Sequence, residues 1–372
     1  MNRRFDFAVI GGGMAGASLA AEVAGAASLV LLEAESQPGY HSTGRSAAFW
    51  AESYGGPLIQ PLTAASRPFL AAPPLDFCEH GFLGPRGAIH LADAAGRFAL
   101  DRLAARFAGS PLVLEPLGRA ALEAAIPGLR QGWDFGLSEP SCADIDVASL
   151  HAAYLKRARV RGAELLVDAR VEAAERGADG WTLETTAGEV RAGILVNAAG
   201  AWADRIASLA GERPVGIAPY RRTIAQIRVT PAAPQSLPLV IEARARFYFK
   251  PEAGGRLWLS PHDETLSEPG DCAAEEIDVA TAIDRFGQAV DWRVERVERR
   301  WAGLRSFAPD RLPVFGFGAG RRDFFWFAGQ GGFGIQTAPA AAAIAGAMLL
   351  GRTVDPAYRG IDPEHYTAAR FS

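Results

Sequence analysis

The sequence is poor in cysteine and contains no long apolar run. Three cysteines, Cys78, Cys142 and Cys272, occur in 372 residues. An odd number of cysteines without paired spacing argues against a disulfide framework and against a metal cluster, so we expect no metal and a reducing, cytoplasmic location. No uninterrupted apolar stretch approaches the length that spans a bilayer, which predicts that the chain has no transmembrane segment.

Lysine is also rare, because Lys156 and Lys250 are the only two in the sequence. The formal net charge is -4, which leaves no basic surface for nucleic acid and favours a small-molecule partner. Hydrophobic residues make up 49% and charged residues 22%, proportions that are typical of a globular protein. A chain of this length favours two domains over one.

The N-terminal region carries a dinucleotide-binding pattern. The run Phe5–Ile10, rich in aromatic and β-branched residues, predicts a buried strand that leads into Gly11, Gly13 and Gly16 at G-x-G-x-x-G spacing. These glycines allow a tight turn, a close approach of backbone to a pyrophosphate, and close packing of helix on strand. The start of the following helix attracts phosphate through its free N–H groups. Glu33 ends the next apolar run, at the distance expected for a ribose-binding acid.

Nucleotide-type units recur later in the chain. Ile194–Asn197 predicts a buried parallel strand, and a second glycine-rich loop, Gly329–Gly334, precedes an alanine-rich helix over Pro339–Leu350. Alternating patterns over Arg222–Val229 and Phe247–Leu259 predict antiparallel strands between these units. We therefore predict an α/β fold in which a discontinuous Rossmann-type domain carries an α+β substrate domain built on a mostly antiparallel sheet. The predicted ranges are 1–79, 144–216 and 306–372 for the first domain, and 80–143 and 217–305 for the second.

Five separated motifs support one family. They are the N-terminal glycines with Glu33 and the segments 39–48, 196–202, 301–307 and 329–337. Together they resemble the FAD-dependent D-amino acid oxidase superfamily, and within it the bacterial D-arginine dehydrogenases most closely. The resemblance implies a two-domain flavoprotein with a Rossmann-type FAD-binding domain that oxidises a carbon–nitrogen bond next to a carboxylate. FAD fits better than a nicotinamide because both ends of a flavin cofactor need support, and the late glycine loop supplies the second contact.

The resemblance also implies which residues hold FAD. Some relatives bond the flavin to a histidine at a position like His41, whereas members that share the Tyr-His-Ser-Thr-Gly pattern hold it without a bond, so we expect non-covalent FAD. Ser46 and Ala47 would lie beside the flavin ring, and Val171 would meet the adenine side. The full predicted cofactor set is Gly11, Gly13, Met14, Ala15, Gly16, Glu33, Ala34, His41, Ser42, Thr43, Arg45, Ser46, Ala47, Val171, Ala199, Gly200, Trp202, Gly303, Arg305, Gly331, Gly332, Gly334, Ile335, Gln336 and Thr337.

Arg222 and Arg305 are the predicted ligands of the substrate carboxylate, a role that the resemblance implies and that the planar guanidinium suits. Arg305 stands among apolar residues, where a buried guanidinium without a partner would be costly, which favours a bound anion. The alternative is an ordinary ion pair. By resemblance, Tyr54 and Tyr248 close over the substrate, and Gly332 offers its backbone carbonyl to the substrate amine.

Two positions depart from the D-arginine dehydrogenase pattern. The glutamate that binds the arginine side chain corresponds to Ala88, and the active-site histidine corresponds to Phe49. The lost charged hydrogen bond is worth roughly 1.5–3 kcal/mol. With Trp50, Phe49 is expected to make the pocket mouth apolar, and a cation site rebuilt by Glu52 or Asp263 has no support in the sequence. We therefore expect a neutral or hydrophobic D-amino acid, oxidised by hydride transfer to flavin N5 and released as an imino acid that hydrolyses to a 2-oxo acid and ammonia.

His262 is a further candidate catalytic residue. In sarcosine oxidases a histidine at this place contacts the substrate; here it is a proton acceptor or an ordinary surface histidine. The lysine that helps those enzymes activate oxygen corresponds to Trp258, which favours a dehydrogenase over an oxidase. The acceptor is then a quinone or oxygen, and a quinone would add peripheral contact with the inner membrane. The alternatives are oxidation of an N-methyl amino acid or a 2-hydroxy acid, a non-enzymatic FAD-binding subunit, and a nicotinamide-dependent dehydrogenase.

Overall fold

The structure is a computed structural model that describes residues 4–371; residues 1–3 of the first predicted domain and residue 372 lie outside the described residues. The helices are α1 (Met14–Val23), α2 (Gln60–Ala71), α3 (Arg97–Arg106), α4 (Arg119–Ala125), α5 (Val147–Val160), α6 (Ala203–Leu209), α7 (Glu276–Ala289) and α8 (Ala338–Leu350). The strands are β1 (Arg4–Ile10), β2 (Leu29–Leu32), β3 (Phe49–Trp50), β4 (Leu83–Pro85), β5 (Ala88–Ala92), β6 (Glu115–Gly118), β7 (Phe135–Glu139), β8 (Ala143–Ile145), β9 (Glu164–Leu166), β10 (Val171–Gly177), β11 (Gly180–Thr185), β12 (Gly188–Asn197), β13 (Ala218–Thr230), β14 (Leu239–Glu242), β15 (Tyr248–Glu252), β16 (Arg256–Ser260), β17 (Thr265–Leu266), β18 (Arg293–Phe307), β19 (Val314–Phe317), β20 (Phe324–Ala328) and β21 (Gln330–Gly331).

The first sheet places the dinucleotide pattern at its centre. Its order is β10-β11-β12-β1-β2-β9, and β12 also pairs with β20, which pairs with β19. Strand β1 runs parallel to β2 and β12. Its residues alternate between two apolar layers: Phe7 and Val9 pack with α1, α5 and α8, whereas Ala8 and Ile10 pack with α6. Helices therefore cover both faces, as a buried parallel sheet requires.

The second sheet is mostly antiparallel, in the order β21-β18-β13-β16-β15-β14-β5-β7-β6, with β17 paired to β13 and β14 parallel to β5. The long pair β13–β18 sets Arg222 opposite Gly303 and Tyr220 opposite Arg305. Because residues two apart on a strand share a face, Arg222 and Arg305 point to the same side of this sheet. Helices α4 and α7 pack on its apolar layer.

The predicted fold class is confirmed, with differences in detail. Strands β3, β8 and β4 form a small third sheet that the sequence did not indicate. The motif 301–307 forms the last part of the long strand β18, which begins at Arg293. Residues 330–331 of the late glycine loop pair with the last two residues of β18, Ser306 and Phe307, and so extend the second sheet. The exact division into domains stays a prediction. Within residues 4–371, no helix is both long and apolar enough to cross a membrane.

Candidate functional site

A cavity of about 400 Å³ runs from the first glycine turn to the paired arginines. Its walls come from the carboxyl ends of β1, β2 and β12, the loop 39–47, strands β13 and β18, and the late glycine loop. The predicted site residues that line it are Gly11, Gly13, Met14, Ala15, Glu33, Ala34, His41, Ser42, Thr43, Arg45, Ser46, Ala47, Val171, Ala199, Gly200, Trp202, Arg222, Gly303, Arg305, Gly331, Gly332, Gly334 and Ile335. The fold thus gathers residues from nearly the whole chain around one elongated space.

The first glycine turn leaves no room for side chains. A Cβ at Gly11 would lie 2.4 Å from the carbonyl oxygen of Ala198, and one at Gly16 would lie 1.9 Å from that of Gly11. Helix α1 begins at Met14, and its N-cap residue, Gly13, has no capping side chain. The first-turn N–H groups of such a helix lack intrahelical partners and suit a pyrophosphate. This end of the cavity therefore fits the ADP half of FAD.

Glu33 and His151 hold this turn, and the contact of His151 was not predicted from the sequence. The Glu33 carboxylate accepts hydrogen bonds from the N–H groups of Gly12 at 2.8 Å and Glu35 at 2.9 Å, and each oxygen keeps a lone pair for a ribose hydroxyl. His151 of α5 donates through Nε2 to the Gly12 carbonyl oxygen at 2.8 Å. Burial lowers the pKa of His151, so its ring is neutral at pH 7. A single histidine within a predicted helix gives no signal of this contact.

Three predicted cofactor residues, Gly16, Gln336 and Thr337, are not among the residues that line the cavity. Gly16 lies within α1 and packs against Gly11. Gln336 is buried, and its side-chain amide bonds the backbone of Ala51, at 3.2 and 3.1 Å, and of Tyr54, at 3.3 Å. The Thr337 hydroxyl donates to the Phe333 carbonyl oxygen at 2.9 Å. Both residues support the loops of the site. In this part of the chain, residues of the loop 331–335 line the cavity, whereas the first turn of α8 does not.

Arg222 is buried and only partly neutralised. Its side chain is 3% exposed; Nε donates to the Asp263 carbonyl oxygen at 2.5 Å, and Nη2 lies 3.3 Å from Glu264 Oε1. Nη1 is buried without a hydrogen-bond partner in the described chain. Burial and the charge of Arg305 lower the pKa of Arg222, which means that an added anion would be stabilised beside it.

Arg305 has no hydrogen-bonded or ion-paired partner among residues 4–371. Its guanidinium carbon lies 5.7 Å from the centre of the Tyr54 ring. A Cβ at Gly332 would lie 2.0 Å from the Tyr54 hydroxyl and 3.1 Å from Arg305 Nε, so these side chains close over the bare backbone of Gly332. Two adjacent guanidiniums with vacant donors form a site for one carboxylate.

Tyr248 and His262 lie beside the arginines. Tyr248 is 2% exposed, its hydroxyl is buried without a partner in the described chain, and its ring centre is 5.4 Å from that of His262. Phe247 and Phe249 point into the opposite apolar layer, as strand alternation predicts. His262 Nδ1 also lacks a partner, and burial with the charges of Arg222 and Arg305 holds the pKa of His262 well below its usual value. The neutral ring has a nitrogen that can accept a hydrogen bond, and its lowered pKa makes it a weak base.

The wall beyond the arginines is apolar. Ala47, Ala88, Ile224 and Tyr248 form a buried cluster, against which the half-buried Phe49 packs; its ring centre is 5.5 Å from that of Tyr54 and 6.2 Å from that of Tyr248.

The prediction for Trp50 is wrong. Trp50 is fully buried in the core of the first sheet, where Nε1 donates to the Thr63 carbonyl oxygen. It follows Phe49 in β3, and successive strand residues point to opposite sides.

A buried polar cluster behind this wall was not predicted. The Glu139 carboxylate accepts from the Ser53 hydroxyl at 2.5 Å and the Ser53 N–H at 3.2 Å, and it lies 3.1 Å from His90 Nε2. Burial alone would raise the pKa of Glu139, but the hydrogen bond and charge of His90 outweigh it and lower that pKa. Because Ser53 precedes Tyr54, the cluster fixes the turn that carries this tyrosine.

A cavity that fits a dinucleotide at one end and a carboxylate at the other defines a flavin-type oxidoreductase. Residues 6–348 match the family described as DAO, FAD dependent oxidoreductase. The chain belongs to this family, and it is an FAD-dependent oxidoreductase. The superfamily prediction and the FAD prediction are confirmed; the nearer likeness to D-arginine dehydrogenases stays a prediction.

Three relatives illustrate the range of the family. Glycine oxidase from Geobacillus kaustophilus is 27% identical over 361 residues, covering 91% of each chain. A crystal structure of glycine oxidase from that species has a TM-score of 0.86 at 22% identity and covers 99% of each chain. Mitochondrial dimethylglycine dehydrogenase from Rattus norvegicus is 28% identical over 220 residues, 54% of this chain and 25% of that protein. L-2-hydroxyglutarate dehydrogenase from Salmonella houtenae is 29% identical over 230 residues, 58% of this chain and 53% of that protein. The chain therefore spans about a quarter of one of these curated relatives and about half of another.

Proposed function

We propose that this protein oxidises the carbon–nitrogen bond of a neutral or hydrophobic D-amino acid. The product is an imino acid, which hydrolyses to a 2-oxo acid and ammonia. The observation that carries the proposal is the pair of guanidiniums, Arg222 and Arg305, whose vacant donors face the cavity that fits FAD. Glycine oxidase and dimethylglycine dehydrogenase, by their names, act on amino acids, which supports a carbon–nitrogen bond as the target.

Each side chain has a distinct task in this proposal. Arg222 Nη1 and Arg305 bind the substrate carboxylate, and the unpartnered hydroxyl of Tyr248 supplies a further polar contact. The Gly332 carbonyl orients the amine, whose proton passes to water or to the weak base His262. FAD, held without a covalent bond by the residues that line the cavity, supplies the hydride acceptor when bound. The protein's contribution is then orientation and charge complementarity.

The apolar wall supports a substrate side chain without charge. Ala88 and Phe49 offer no countercharge to a cation, and Glu139, opposite Ala88 in the sheet, is fully occupied by Ser53 and His90. A charged side chain would meet this wall without compensation for its lost hydration.

The preference for a dehydrogenase over an oxidase rests on two residues. Trp258 stands at the position of the oxygen-activating lysine of sarcosine oxidases. Lys250 packs on the Trp258 ring, 4.7 Å from its centre, but its ammonium pairs with Asp144 at 2.8 Å. A cation neutralised in this way is a poor promoter of the reaction of reduced flavin with oxygen.

Anaerobic reduction of the bound flavin tests the proposal. A panel of D- and L-amino acids is mixed with the holoenzyme, and bleaching of the flavin absorbance is followed. We expect D-amino acids with apolar side chains to reduce the flavin fastest. Absence of bleaching with every amino and N-methyl amino acid would contradict the proposal, and repetition with oxygen or a quinone analogue identifies the acceptor.

An arginine variant tests the carboxylate site. Arg305→Met removes one donor pair beside a buried cation, and we expect binding of the substrate to weaken by about 2–5 kcal/mol. Arg300→Met is the matched control, because Arg300 lies on the same strand but is exposed and paired with Glu276. Equal substrate affinity in the two variants would remove Arg305 from the site.

A 2-hydroxy acid is the second candidate substrate. Arg222 and Arg305 would bind the carboxylate of a 2-hydroxy acid in the same way as that of an amino acid, and the match to L-2-hydroxyglutarate dehydrogenase supports this alternative. Inclusion of D- and L-2-hydroxy acids in the anaerobic panel separates the two, since faster reduction by a hydroxy acid than by every amino acid would favour the alternative.

A further inference from the structure

Glu264 lies between the substrate-binding arginines and the surface. Its Oε1 is 3.3 Å from Arg222 Nη2, and its two oxygens are 2.8 and 3.0 Å from Nη2 of Arg311. The Glu264 side chain is 36% exposed and that of Arg311 is 49% exposed, so this pair lies between the buried Arg222 and the solvent. The guanidinium carbon of Arg311 lies 3.8 Å from the centre of the Phe307 ring, which holds this arginine in place.

The contacts of Arg222 explain what Glu264 does to the site. Asp263 and Glu264 occupy Nε and Nη2, and Nη1 alone remains for a ligand. The carboxylate of Glu264 therefore stands beside the position of the substrate carboxylate, bridging from Arg222 to Arg311. This is the place that the second carboxylate of a short dicarboxylic acid would take.

The balance of charges around Arg222 agrees with this placement of Glu264. Three guanidiniums, those of Arg222, Arg305 and Arg311, face the carboxylates of Asp263 and Glu264. One substrate carboxylate balances the remaining positive charge. A second one would lie close to Glu264 with no free cation, and like charges placed together at a binding site are strongly unfavourable.

We propose that Glu264 is a specificity-determining residue: it occupies the distal carboxylate position between Arg222 and Arg311 and restricts the site to monocarboxylic substrates. The inference rests on the proposed role of Arg222 and Arg305 in carboxylate binding. Glu264→Ala removes the charge and the carboxylate that fills this position, and it leaves Arg311 free to bind a second carboxylate. Dicarboxylates should then enter the site.

The test uses acetate and malonate as non-reacting probes, titrated into the holoenzyme while the absorbance spectrum of the bound flavin is followed. We expect Glu264→Ala to raise the affinity for malonate about tenfold and that for acetate by less than about threefold, since only malonate gains a second ion pair. The double variant with Arg311→Gln should lose the gain for malonate. Glu268→Ala is the matched control, because Glu268 is exposed just beyond β17, and it should change neither affinity.

The outcomes separate this inference from the proposed reaction. An equal rise for acetate and malonate, or a gain that survives Arg311→Gln, would overturn the assignment of Glu264. Binding of neither probe to any variant would overturn it as well. If the malonate pattern holds but amino acids fail to reduce the flavin, the proposed reaction is wrong and the assignment of Glu264 stands.

Discussion

Glu139→Gln should destabilise the protein markedly, although the site lies outside the cofactor cavity. Glu139 is fully buried and binds Ser53 twice and His90 once. The amide keeps the volume but loses the charge and one acceptor, and breaking a buried pair of this kind costs about 3 kcal/mol. For a chain of this length the cost corresponds to a fall in melting temperature of about 4 °C.

The pH dependence of the same variant has a definite sign. Because the pKa of Glu139 is lowered in the folded protein, its stabilisation is present above the ordinary value of 4.5 and is lost as the pH falls through the folded value. The wild type should therefore lose its advantage over Glu139→Gln in acid.

Thermal unfolding of the holoenzyme between pH 3 and pH 7 measures both effects, because the loss falls below pH 4.5. Glu123→Gln is the control, since Glu123 pairs with Arg119 on the surface of α4 and is 49% exposed. Melting temperatures of Glu139→Gln within about 1 °C of the wild type at every pH would refute the reasoning.

Two further substitutions test the nucleotide turn and the adjacent helix. Gly16→Ala places a Cβ 1.9 Å from the Gly11 carbonyl oxygen, so the purified protein should lose most of its flavin absorbance, whereas Gly287→Ala in α7 meets nothing within 4 Å and should keep it; equal flavin content in the two would contradict the steric argument. Burial raises the pKa of Glu22, so the charged form destabilises the fold increasingly as the pH rises above 4.5. Glu22→Gln should therefore raise the melting temperature at pH 7 and not at pH 4, and a lower melting temperature at pH 7 would show that the attraction to Arg157 and Arg161 outweighs the cost of burial.

The sequence predicts best those parts of the fold whose pattern lies within one short segment of the chain. The strand, glycine turn and helix at Gly11–Gly16 are one continuous segment, and alternation alone places Tyr248 away from Phe247. The polar cluster of Ser53, His90 and Glu139 was not predictable, because its members are far apart in sequence and meet only through the pairing of β5 with β7.

Two site residues were predicted from their neighbours in the sequence, and the structure places them elsewhere. Trp50 was grouped with Phe49 because the two are adjacent, yet the short strand β3 sends them to opposite sides. Gln336 follows the late glycine loop directly, but the chain turns there and the amide faces the backbone of Ala51. Glu264 had no recognisable motif, and its importance follows only from its distance to Arg222.

Under the proposed function, the pairing of β13 with β18 keeps the binding of the substrate's acid group apart from the recognition of its side chain. Both arginines belong to this one strand pair, whereas most of the apolar wall, apart from Ile224 of β13, comes from other segments, including β3, β5 and β15. Substitutions in the wall can therefore change which side chains are accepted without moving the carboxylate ligands. A lineage can exchange one substrate for another by single substitutions while it keeps the acid group of every substrate in the same place.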